Sequence, residues 1–114
     1  MQATNTLQLT DQNFDSEVEQ FSGVVMVDFW AVWCGPCHAM SPRVTELAEM
    51  FKGNDKVKVA QLNVDDAQET AERFHILSIP TFLFFAAGKQ VDMMSGVKPT
   101  SELKNKIEQA LQGA

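Results

Sequence analysis

Apolar positions along this chain switch between a spacing of two and a spacing of three to four, and each switch marks a new element. Leu7-Gln8-Leu9 alternates and stops at Thr10 and Asp11, either of which can cap a helix carrying Phe14, Val18 and Phe21 on one face until Gly23. Val24 to Ala31 is almost continuously apolar and β-rich, as expected of a strand covered on both faces. Met40, Val44, Leu47 and Phe51 then recur with helical period up to Gly53, with Pro42 predicted to bend that helix. Val57 to Val64 reads as a strand, and Asp65 or Asp66 is the expected cap of a short helix with Ala67, Ala71 and Phe74. Thr81 to Phe85 and Lys89 to Met94 flank the turn Ala86-Ala87-Gly88 as a hairpin in which Phe82, Phe84 and Phe85 are core. Pro99-Thr100-Ser101 opens a final helix facing inward through Leu103, Ile107 and Leu111.

The order βαβαβαββα predicts an α/β fold, a central mixed β-sheet of about five strands flanked by four helices, because parallel neighbours need covering crossovers. No repeat, low-complexity tract or linker interrupts residues 1–114, which are expected to form one domain.

Charge narrows the function. Fifteen Asp and Glu against nine Lys and Arg give a net charge of −6, which argues against nucleic acid as a partner. Met1 to Thr6 carries no basic and apolar leader, and no run reaches the roughly 18–20 apolar residues of a bilayer span, so a cytoplasmic, non-membrane protein is expected. Nothing in the sequence requires more than a monomer.

The two cysteines sit in Trp33-Cys34-Gly35-Pro36-Cys37, where the apolar strand meets the long helix. Cysteine attacks as a thiolate, and a helix N-terminus offers free N–H groups and the positive end of the dipole, so Cys34 is expected to ionise more readily than a free thiol. It should also be presented to solvent. A spacing of three brings Cys37 back within reach of Cys34. Pro36 suits an early helical position, and Gly35 leaves room for another chain. Three other readings remain open: a structural staple, whose loop would be too short to gain much entropy; an inert buried pair; and a zinc site, for which His38 and His75 are the remaining ligand types. Asp28 stands out because a carboxylate in an apolar strand is costly unless neutral or paired, and burial raises its pKa. A local backbone contact at the strand end is the alternative.

Val27-Asp28-Phe29-Trp30-Ala31, Trp33-Cys34-Gly35-Pro36-Cys37, Pro42 and Ile79-Pro80-Thr81 resemble the successive signatures of the thioredoxin family, in its order and spacing, over about Leu7 to Leu111. The resemblance implies the thioredoxin fold and a protein-disulfide reductase that uses a dithiol/disulfide cycle in cell redox homeostasis. It implies Cys34 as nucleophile, Cys37 as resolving thiol and Asp28 as the group that moves the proton of Cys37. Gly35 and Pro36 would tune the thiols, and Trp33, Ile79, a cis Pro80 and Gly96 would form the substrate-binding surface. No cofactor or metal would be bound; NADPH and FAD would act indirectly, through thioredoxin reductase, and the substrates would be disulfide-containing proteins.

Two departures matter. Gln61 stands where a Lys commonly neighbours the buried Asp, so Asp28 should keep a higher pKa here. Val32 replaces a polar or acidic residue, making the approach to Cys34 more apolar. Trp30 is expected in the core, while Trp33 is either contact surface or core. His38 could add charge near the thiols or simply be solvated, and His75 reads as structural. A disulfide oxidant or isomerase and a redox-independent binding subunit are the competing functions; the resemblance implies the reductase, because Gly35-Pro36 is similar to the dipeptide of the family's reducing members, whereas oxidising or isomerising members usually carry His before the second Cys.

Overall fold

The structure, a computed structural model, describes residues 3–113 and contains the expected elements in the expected order. Met1, Gln2 and Ala114 of the predicted domain lie outside the described residues. The elements are β1 (Leu7–Leu9), a π-helical turn (Asp15–Glu19), β2 (Val24–Trp30), α1 (Gly35–Met50), β3 (Val57–Asn63), α2 (Gln68–Arg73), β4 (Thr81–Ala86), β5 (Lys89–Ser95) and α3 (Thr100–Gly113).

The strands form one mixed sheet in the order β1-β3-β2-β4-β5, with β1, β3 and β2 parallel and β4 and β5 antiparallel additions. β2 lies in the middle and all seven of its residues are buried, which is why its sequence shows no alternation. Val24 and Met26 face α1 and α3 through Met40, Val44, Leu47, Leu103 and Ile107. Val25, Val27 and Phe29 face the other layer, where Phe14, Phe74 and Phe85 pack ring against ring with centroids 5.3–5.8 Å apart. Each such ring contributes roughly 1.5–3 kcal/mol by burial.

Two local expectations are corrected. The first helix shrinks to a single wide turn, closed by the Gln20 amide donating to the Asp15 carbonyl at 3.0 Å. Phe14 and Val18 are both fully buried by it, while Phe21 stays half-buried at its edge under the Lys58 ammonium. The turn's own N-cap position is Phe14, which has no capping side chain, and Thr10 braces the residues before it: its hydroxyl accepts from the Asn13 amide at 3.2 Å, and the Asn13 side chain accepts from the Thr10 amide at 2.7 Å.

Asp11 belongs to α2 instead, accepting the Thr70 amide at 2.9 Å and the Thr70 hydroxyl at 2.7 Å. Those bonds hold its carboxyl below the usual range. Neither Asp65 nor Asp66 caps α2, whose N-cap position is Ala67. The cap comes from 59 residues away in sequence, a pairing that no local pattern could display.

Candidate redox site

β2 ends at Trp30, and four residues later Cys34 stands at the N-cap of α1 with extended backbone angles (φ −89°, ψ 108°). Its sulfur accepts the Cys37 amide at 3.2 Å, filling the capping position that a Ser or Asp oxygen normally takes. The Cα atoms are 5.3 Å apart and the two sulfurs are joined, so the protein is in its oxidised form. Pro36 lies in the first helical turn, where it has no amide to leave unpaired. α1 runs on through Pro42, which is exposed, to Met50.

The expectation that Cys34 is presented to solvent is corrected, because the neighbouring chain packs over its sulfur. Cys34 is only 4% exposed and Cys37 5%, so accessibility does not distinguish them. Hydrogen bonding does, because Cys34 alone receives the helix-terminal N–H. Cys34 is covered from the side by the segment before β4, whose Ile79 carbonyl oxygen lies 3.7 Å from the sulfur. Solvent reaches its neighbours instead: Trp33 is 69% exposed, Val32, Gly35 and Pro36 are exposed, and a Cβ built on Gly35 would meet nothing within 4 Å.

The Ile79–Pro80 peptide bond is cis, and Ile79 is half-buried beside the cysteines. Pro80 is itself buried, which corrects its expected place on the contact surface: it lies beneath that surface, with its carbonyl accepting the Gly96 amide at 2.9 Å. Gly96 has φ +87°, an angle that L side chains rarely adopt.

Sequence reasoning overlooked two residues here. Asp65, expected as a helix cap, accepts the Trp33 indole N–H at 2.9 Å and so fixes the exposed ring. Leu77 is 95% exposed and, with Trp33, Val64, Ile76, Ser78 and Ile79, lines a groove of about 420 Å³ beside the cysteines. Its only sequence signal was a large apolar residue in a loop, outside any periodic pattern. His38 turns its Nε2 to the Val32 carbonyl oxygen. His75 lies just beyond α2 with φ +55°, at the end of a different helix.

Asp28 is 1% exposed on the α1 side of β2, paired in register with Gln61 of β3 and Phe82 of β4. Gln61 Nε2 donates to its Oδ2 at 3.0 Å, and Oδ1 has no partner. Burial pushes the Asp28 pKa up to about 7, and the Gln61 bond only partly opposes it.

The Thioredoxin family model matches residues 5–109. The chain is 45% identical over 107 residues to a thioredoxin of Alicyclobacillus acidocaldarius, covering 94% of this chain and 99% of that protein. It is 41% identical to thioredoxin 1 of Nostoc, covering 91% and 95%, and 42% identical to a thioredoxin of Synechocystis, covering 93% and 97%. The chain belongs to the thioredoxin family. As such it is a thiol–disulfide oxidoreductase with protein-disulfide reductase activity, and the mixed five-stranded sheet with four helical elements is the thioredoxin fold. Thioredoxins carry no bound cofactor. No helix among the described residues is long and apolar enough to cross a membrane.

Proposed function

We propose that residues 1–114 act as one catalytic domain in which Cys34 is the attacking thiolate, Cys37 the resolving thiol and Asp28 the acceptor of its proton. One observation carries the assignment: of the two sulfurs, Cys34 receives the amide at the amino end of α1. A helix-terminal N–H and the positive dipole end stabilise a thiolate there, thioredoxins being a standing example.

Cys34 attacks a substrate disulfide, that S–S bond breaks, and a mixed disulfide forms while one substrate thiolate leaves. Cys37 gives its proton to Asp28 and attacks the Cys34 sulfur. The internal disulfide closes and the second substrate thiolate departs, so two electrons have passed to the substrate. Gly35 and Pro36 keep the approach open, and Trp33, Ile79 and Gly96, supported from below by Pro80, receive the polypeptide. Thioredoxin reductase restores the dithiol with electrons from NADPH through its FAD. The setting is the cytoplasm and the working unit a monomer.

Insulin-disulfide reduction with purified thioredoxin reductase and NADPH tests this. Cys34→Ser is expected to abolish turnover, and Cys37→Ser to accumulate mixed disulfides on a non-reducing gel. Normal turnover in either variant would sink the assignment.

A further inference from the structure

The orientation of the Gln61 side chain is settled by a group that has only one option. The Ala3 backbone amide can only donate, and the Gln61 atom 3.0 Å from it is Oε1. The other end of the side chain is therefore the NH₂ group, aimed at Asp28 Oδ2. Two more groups converge on Oε1: the Thr6 hydroxyl at 3.2 Å and the Gln8 amide at 3.4 Å. The single Thr6 proton is shared with the Ala3 carbonyl at 3.0 Å, and the Thr6 oxygen accepts from Gln8 at 2.8 Å. The segment that supplies these donors is itself tied to α1, through the Thr4 amide on Thr45 Oγ1 at 3.0 Å and the Asn5 side chain on Glu49.

An NH₂ group donates to a carboxylate and to a neutral acid alike, and it takes up no proton from either. Oδ2 is thus occupied in both protonation states. Oδ1 is buried with no partner, and it is the oxygen left to carry the proton. Donors on Oε1 also polarise the amide and strengthen its N–H toward Asp28.

We propose that Gln61 is a positioning residue for Asp28: held in one orientation by residues Ala3 to Gln8, it keeps Oδ2 as an acceptor and confines the transferable proton to Oδ1. The order of the N-terminal segment thereby sets the pH at which Cys37 is relieved of its proton. Where the resemblance leads one to expect a Lys that would act through its charge, this chain uses a neutral donor whose strength depends on a distant segment. The other groups facing Asp28 add no charge. Phe82 faces it from β4, and Met40 and Val44 cover this side of the sheet from α1, whose first turn carries Cys37, held in the disulfide, and His38, whose Nε2 is turned to the Val32 carbonyl oxygen. α3 contributes Leu103 and Ile107, and Lys58 of β3 is engaged with Glu17. The pKa of Asp28 is accordingly raised by burial, with the Gln61 bond opposing it.

The inference rests on Asp28 as the proton acceptor for Cys37, and its test separates the two. The Asp28 carboxyl carbon of the full chain, followed by NMR against pH in the oxidised form, needs no turnover. Gln61→Met is expected to raise the midpoint by roughly one pH unit, the worth of one bond to a charged acceptor. Gln61→Lys should lower it. Thr6→Val should raise it by a smaller amount in the wild-type background and not at all beside Gln61→Met. The pH profile of single-turnover disulfide reduction should follow the same order. An unmoved midpoint in Gln61→Met or Thr6→Val overturns the inference, as does a Thr6→Val shift that persists beside Gln61→Met. Should Gln61→Met not fold, Gln61→Lys and Thr6→Val decide. Failure of the acceptor role would show separately, as a pH profile that Asp28→Asn does not change.

Discussion

Asp28 is held where its charged form is costly, and that cost has a sign. An acid raised from its ordinary 3.8 to about 7 keeps its proton longer in the folded chain than in the unfolded one. The folded state binds the extra proton between those two values, so this group's contribution to stability falls as pH rises through that window. Above it, the folded state carries a penalty of about 4 kcal/mol. Asp28→Asn does not titrate, and its stability relative to the wild type should grow from about pH 5 to about pH 8.5 by a few kcal/mol, measured by urea unfolding of the oxidised forms. A constant difference across that range would contradict it. The same substitution should slow the resolving step, because Cys37 loses its proton acceptor. Asp65 offers a second residue-scale check. Asp65→Ala frees the Trp33 indole, and Trp33 fluorescence should become more mobile by anisotropy while KM for protein substrates rises.

Among the elements, α2 is the one most dependent on others. It has six residues and no capping side chain of its own, and Asp11 supplies the missing acceptor at Thr70. Asp11→Ala should cost about 1–2 kcal/mol and should speed amide exchange in Gln68–Arg73 far more than in α1. Uniform acceleration across both helices would mean that Asp11 does not act as the cap. The π-helical turn makes a complementary case, since its stability comes from the rings it buries. Phe14→Ala removes one member of the Phe14–Phe74–Phe85 cluster and should destabilise by about 3–5 kcal/mol, read as a drop in Tm. Only Phe14 and Val18 of its three expected inward residues are fully buried, because a wider turn advances each side chain by a smaller angle than an α-helix does.

At the scale of the molecule, the net charge of −6 contrasts with the uncharged groove beside the cysteines, where Trp33, Ile76, Leu77 and Ile79 meet. An association that buries apolar side chains responds weakly to ionic strength. Leu77→Asp should therefore lower kcat/KM for a protein disulfide by about tenfold, the value of partly burying one Leu, and far less for a small disulfide. Equal losses on both substrates would place Leu77 outside the docking area.

The strand–helix order, the buried β2 and the two cysteines at the head of α1 were all legible in the chain, because hydrophobic period and a capping position are local properties. Asp28 was legible as an anomaly for the same reason, a carboxylate inside an apolar run. The resemblance placed Gln61 next to it, but the bonds that join the two and hold Gln61 were not legible. That Gln61 donates to it, that Ala3 orients Gln61, that Asp11 caps a helix 59 residues away and that Asp65 holds Trp33 are contacts between segments distant in sequence. The same is true of the cover over Cys34, which comes from the loop before β4. A sequence specifies which groups seek partners; chain crossings in three dimensions select the partner, since a buried donor or acceptor bonds to whatever packing brings within about 3 Å.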